Sequence, residues 1–137
     1  MSPPSQSRDT LLLIEDDADI RESLIDLLKE AGHAVVTARD GTEALRMLDA
    51  GAIPRPCLVL LDWLMRPMSG EQFLEAIQDR SDAADLRVLI VSAATDLHHA
   101  ASLPGVVGVL RKPFEIDELL ERVGAHCGAA RSRAALA

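Results

Sequence analysis

The chain has 137 residues, a formal net charge of −8, 48% hydrophobic residues and three aromatics, Trp63, Phe73 and Phe114. That length supports one core and leaves no room for a second domain. Twenty-two Asp and Glu against 14 Lys and Arg exclude the cationic, sequence-independent grip on phosphates that nucleic-acid binding draws on. No apolar run approaches the about 18 residues of a membrane helix, and the first residues lack the apolar stretch of a secretory signal. The expectation is a cytoplasmic protein with no membrane contact and no direct nucleic-acid contact.

Residues 1–8 carry no periodic pattern and read as a disordered tail, with the folded domain running over 9–128. Thr10–Ile14 is an apolar run of strand length, followed at once by Glu15, Asp16 and Asp17. Ile20, Leu24, Leu27, Leu28 and Ala31 then repeat at helical spacing and predict a first helix over 18–31, closed by Gly32. Ile25 falls off that stripe and is expected at the surface. Ala34–Ala38 reads as the second strand, and Asp40 with Glu43 as a capping box opening a second helix through Leu45 and Leu48. Cys57–Leu61 is the third strand, ending at Asp62, and Ser69 with Gln72 opens a third helix through Phe73, Leu74 and Ile77.

Arg87–Val91 is the fourth strand, ending at Ser92. The small, polar stretch Ala94–Leu103 predicts only a short fourth helix. Val106–Leu110 is the fifth strand, leading to Lys112-Pro113, and Ile116, Leu119, Leu120 and Val123 form one face of a fifth helix over 115–127. Residues 129–137 read as a frayed tail. Several strand runs are apolar throughout, as parallel strands covered on both faces require. The pattern is therefore an α/β fold: a doubly wound, five-stranded parallel sheet in the order 2-1-3-4-5, flavodoxin-like, with five helices.

In such sheets ligands bind outside the carboxyl ends of the strands, near the point where the order reverses. The first polar residues there are Glu15, Asp16 and Asp17 after strand one, Asp62 after strand three, Ser92 after strand four and Lys112 after strand five. Taken singly, Asp16 or Asp17 is a helix cap, Ser92 a turn residue and Lys112 a solvated charge. Four strand ends that each carry a fitting group carry more information than any one of them. Clustered carboxylates need a compensating cation, and Mg²⁺ is the usual one where phosphate is also bound. A hydroxyl and a lysine beside it suit a phosphoryl group, and Asp62, alone at the end of the central strand, is placed to act as nucleophile and form an aspartyl phosphate.

The segments LLLIEDDADIRESL, LVLLDWLMRPMSGEQFL, VLIVSAATD and LRKPFEIDELLERV resemble, in order and nearly in spacing, the response-regulator receiver domains of two-component signalling, including the chemotaxis receivers. The resemblance covers residues 10–126. It implies that Glu15 and Asp16 bind Mg²⁺ together with Asp62 and the backbone carbonyl of Leu64. It further implies that Asp62 is the phosphoacceptor, Ser92 the switch hydroxyl and Lys112 the phosphate-contacting lysine, with a cis Lys112–Pro113 bond. The implied partners are a histidine kinase or phosphotransfer protein as donor and an unknown downstream protein.

Three features depart from the family pattern. The family's usual Met-Pro after the acceptor is here Met65-Arg66-Pro67, which restricts Arg66 in place of Met65. The segment from Ser92 to Lys112 is short, and the aromatic switch position is Val109, which cannot report phosphorylation by rotating a ring. The positions two beyond Asp62 and two beyond Ser92 are Leu64 and Ala94, which give no side-chain help to a hydrolytic water.

Trp63 follows the acceptor, either packed at the pocket rim or in contact with a partner. In the family, the first helix and the loop after strand five meet the phosphodonor, which makes Ile25 a candidate contact. His98-His99 reads as a polar helix face, and Cys57 and Cys127 read as buried thiols without a disulfide or zinc role. The leading reading is a phosphoryl-accepting signalling domain, not an enzyme beyond its own phosphorylation and dephosphorylation, with output through protein contact. The competing reading is an adaptor whose binding ignores phosphorylation. A phosphohydrolase is disfavoured because such enzymes expect a second Asp where Leu64 stands.

Overall fold

The computed structural model of the chain describes residues 9–94 and 97–126. Five strands, β1 (Thr10–Ile14), β2 (Val35–Ala38), β3 (Cys57–Asp62), β4 (Leu86–Ser92) and β5 (Val106–Arg111), alternate with five helices, α1 (Ala18–Glu30), α2 (Gly41–Asp49), α3 (Gly70–Gln78), α4 (His98–Ala101) and α5 (Ile116–His126). All pairings are parallel and the order is β2-β1-β3-β4-β5, as the sequence predicts. The expected tails fall outside the described residues, as does Cys127. No helix among the described residues is long and apolar enough to cross a membrane.

Alternate residues of each strand feed two separate cores, which is why the strand runs are apolar throughout. Leu12, Ile14, Val59, Leu61, Val88 and Ile90 face α2 and α3, packing with Ala44, Leu48, Phe73, Leu74 and Ile77. Leu11, Leu13, Leu58, Leu60, Leu89 and Val91 face α1 and α5, packing with Leu28, Leu119 and Val123. Phe73 is fully buried, a burial that contributes roughly 1.5–3 kcal/mol.

Helix starts follow the cap chemistry. Ser69 and Gln72 form a complete capping box on α3. On α2 the Asp40 side chain accepts from the Glu43 N–H as expected, but the Glu43 carboxylate accepts from the N–H of Arg39, so the box is displaced by one residue. Asp17 caps α1 through the N–H of Ile20. Gly32, at φ 97°, closes that helix in a conformation that favours glycine.

Two expectations change, both on α1, and two details of the β4 and β5 connections are added. The expected exposure of Ile25 is not found: it is partly buried and packs with Leu24 on the α1/α5 side. Ile20, read as part of the core stripe, is 41% exposed, in a first turn of α1 where Ala18 and Asp19 are exposed as well. The fourth helix is a single turn without a side-chain cap at its start, and the Ser102 hydroxyl donates to the His99 carbonyl where the helix would otherwise continue. A 3₁₀ turn, Ala83–Asp85, precedes β4 where the sequence offered no pattern.

Candidate functional site

β1, β3 and β5 each end on the same edge of the sheet, and the residues that follow converge there. Glu15, Asp16 and Asp62 each offer a carboxylate oxygen, all within 4.8 Å of one another. Lys112 Nζ donates to Asp62 Oδ2 at 3.3 Å and lies 3.6 Å from Glu15 Oε1. The other oxygen of Asp62, Oδ1, accepts from the Leu64 N–H at 3.0 Å. Glu15 is only 4% exposed, and burial pushes its carboxyl above the usual carboxylate range. The Asp17 N–H and Lys112 pull against that rise, while Asp62 and Asp16 add to it.

Three carboxylates against one ammonium leave the cluster short of positive charge. All its donors are hard oxygens, the set that suits Mg²⁺ rather than zinc or copper. The residues present therefore fit the metal that the sequence implied. Asp17 stands outside the cluster as the cap of α1.

Ser92 is on β4, one residue beyond Val91, which pairs with Asp62 across the ladder. Its hydroxyl is fully buried and accepts from the Ala94 N–H at 3.1 Å. Its carbonyl accepts from the Lys112 N–H at 2.9 Å, which ties the end of β4 to the lysine-bearing turn. The Lys112–Pro113 bond is cis as expected, and Arg66–Pro67 and Arg55–Pro56 are cis as well.

The loop from Asp62 to Gly70 folds back on itself. The Gly70 N–H donates to the Trp63 carbonyl at 3.0 Å, and a Cβ at Gly70 would lie 2.7 Å from Trp63 Cα and 2.9 Å from the Asp62 carbonyl oxygen. Only glycine fits against that backbone. Trp63 is partly buried against the α2/α3 core, whereas Leu64 is 60% exposed beside the site. Val109 on β5 lines a cavity of about 420 Å³ with Leu97, His98, Arg111, Glu118 and Arg122, to which Glu15, Asp16 and Asp62 do not contribute. Arg21 on α1, which no motif in the sequence marks, donates to the Glu15 backbone carbonyl at 2.8 Å. A carbonyl acceptor has no side-chain signature, so only its offset of six residues from Glu15 could have pointed to it.

Residues 11–124 match the family described as response regulator receiver domain. The chain belongs to that family. Among relatives, the receiver is 35% identical over 117 residues to the response regulator MprA of Mycobacterium ulcerans, covering 84% of this chain and 48% of that protein. It spans about half the length of the curated relatives it matches. Among solved structures, a response regulator receiver protein from Pseudomonas putida is 34% identical with a TM-score of 0.73, covering 85% of this chain and 96% of that one. The response regulator TrrA of Thermotoga maritima, solved in complex with Mg(2+)-BeF, is 30% identical with a TM-score of 0.70, covering 84% of this chain and 96% of that one. Phosphorylation on an aspartate is the family's property, and the receiver is a signalling domain of two-component systems.

Proposed function

We propose that Asp62 accepts a phosphoryl group from the phosphohistidine of a histidine kinase or phosphotransfer protein, and that the receiver then signals by protein contact. The observation that carries this reading is Lys112 Nζ, shared between Asp62 Oδ2 and Glu15 Oε1 inside a cluster of three carboxylates. Glu15, Asp16, Asp62 and the Leu64 carbonyl would hold Mg²⁺, which when bound supplies positive charge to the phosphoryl oxygens.

Asp62 Oδ2 attacks phosphorus in line as the phosphorus–nitrogen bond to the donor imidazole breaks, and the electron pair leaves on that nitrogen. The Leu64 N–H holds Oδ1 and so fixes the carboxylate plane. Lys112 transfers its contact from the free carboxylate to a phosphoryl oxygen. The Ser92 oxygen already accepts from Ala94, which leaves its own proton available to a phosphoryl oxygen once the hydroxyl turns. Ile20, Ala93, Pro113 and Phe114 line an open, mostly apolar hollow beside Lys112. Ile20 therefore replaces Ile25 as the donor contact on α1, with the exposed side of Trp63 as a second contact near the acceptor.

A specific observation favours the adaptor as a second reading. Val109 and the one-turn α4 remove the ring and much of the helix through which a switch could act. Treatment with a small-molecule phosphodonor and Mg²⁺ separates the two. The first reading expects Trp63 fluorescence to change and a base-labile phosphoryl group to form, both absent in Asp62→Asn. The adaptor expects neither, with partner binding unaffected by Asp62→Asn. Operation in the cytoplasm belongs to the same reading, because that is where donor kinases expose their phosphohistidine.

A further inference from the structure

Glu15 is engaged at every polar atom it has. Its N–H donates to the Ala38 carbonyl at 3.2 Å, Oε2 accepts from the Asp17 N–H at 3.2 Å, and Oε1 faces Lys112 Nζ at 3.6 Å. Its carbonyl accepts from Arg21 Nη1 at 2.8 Å. Of the two side-chain donors among these partners, Lys112 and Arg21, Arg21 alone has no place in the reading above. Its backbone N–H makes the first helical bond of α1, to the Asp17 carbonyl at 2.9 Å, while its guanidinium reaches back over that turn to the end of β1.

A charged donor at this distance makes one of the stronger kinds of hydrogen bond. It acts on the peptide that joins Glu15 to Asp16, so a rotation of that peptide would reorient both side chains together. We infer that Arg21 is a positioning residue for the metal site: its bond to the Glu15 carbonyl holds the β1–α1 turn so that Glu15 and Asp16 both meet Asp62. This rests on the reading of Glu15, Asp16 and Asp62 as the Mg²⁺ site.

The inference gives a sign that electrostatics alone would reverse. Arg21 is a cation close to a proposed divalent-cation site, so removing its charge should strengthen Mg²⁺ binding by Coulomb's law. Removing a support of the ligand-bearing turn should weaken binding, by about tenfold for partners of this kind.

Calorimetric titration of Mg²⁺ into the wild type, Arg21→Gln, Arg21→Lys and Lys29→Gln at one ionic strength decides between them. Lys29 lies in the last turn of α1, far along the helix from the site, and serves as the charge control. The expected result is a roughly tenfold loss of affinity in Arg21→Gln, a smaller loss in Arg21→Lys, and no loss in Lys29→Gln. Unchanged or tighter binding in Arg21→Gln overturns the inference while leaving the site reading intact. Absence of Mg²⁺ binding by the wild type overturns both. Should Arg21→Gln fail to fold, Arg21→Lys carries the test, since it keeps the charge and loses the forked donor; wild-type affinity in that variant counts against the inference.

Discussion

The two edges of the sheet handle charge in opposite ways. At the amino edge cations and carboxylates are matched: Arg80 pairs with Asp82 at 2.9 Å and with Asp49 at 2.5 Å, Arg55 with Asp82 at 2.6 Å, and Arg87 with Asp9 and the His126 carbonyl. Apart from Arg80–Asp82, these pairs join segments distant in sequence, and the Arg80 guanidinium holds the Asp82 carboxyl below the usual carboxylate range. At the carboxyl edge three carboxylates cluster beside one ammonium, which lies 3.3 Å from Asp62 and 3.6 Å from Glu15, and the buried Glu15 sits above its ordinary range. The three exposed large hydrophobics among the described residues, Ile20, Leu64 and Ile116, also lie at that edge. One edge is complete in itself; the other is short of charge and of apolar cover, as a surface that takes a cation, a phosphoryl group and a protein should be.

Charge removal should therefore have opposite consequences at the two edges. The largest expected effect is at Lys112: Lys112→Ala lowers phosphoryl uptake by about a hundredfold, measured as initial rate with a small phosphodonor, while the fold persists. At the amino edge Arg87→Ala leaves the buried Asp9 carboxylate without its guanidinium. It lowers stability by about 2 kcal/mol in urea unfolding and leaves Mg²⁺ binding unchanged.

Glu15→Gln inverts that outcome. A carboxyl raised in the folded state favours folding while protonated, and that benefit is lost as the pH climbs through the raised value, so at neutral pH the buried charge is a full cost. The variant should unfold a few degrees higher than the wild type in metal-free buffer at neutral pH and gain nothing from Mg²⁺. A lower unfolding temperature would remove the contrast between the edges.

The smallest effect belongs to His126. Burial first, then Arg87 and Arg122, holds its imidazole below the ordinary histidine range. The folded chain keeps this contribution above the ordinary value and loses it as the pH falls through the lowered one. His126→Gln should flatten the acid side of the stability profile slightly, without touching Mg²⁺ binding.

Most of the carboxyl edge was legible because each apolar strand run ends on a different polar group, and the run itself says where the group will stand. The strand ends were less so. Asp62 and Ser92 belong to their strands only through ladder partners, Val91 and Arg111, that hydrophobicity does not mark. The exchange of Ile20 and Ile25 has a similar origin: helical spacing says which residues share a face, but not which turn is left uncovered. The amino edge was hidden, since its ion pairs join residues such as Asp49 and Arg80, 31 positions apart, with no local signature. Arg21 was missed for the opposite reason, its acceptor being near in sequence but a backbone carbonyl.

The most direct test is intact mass after incubation with a small-molecule phosphodonor and Mg²⁺, on the wild type and Asp62→Asn side by side. The account predicts a single phosphoryl adduct, stable in acid and labile in base, on the wild type alone. An unmodified wild type, or an adduct that survives in Asp62→Asn, would contradict it.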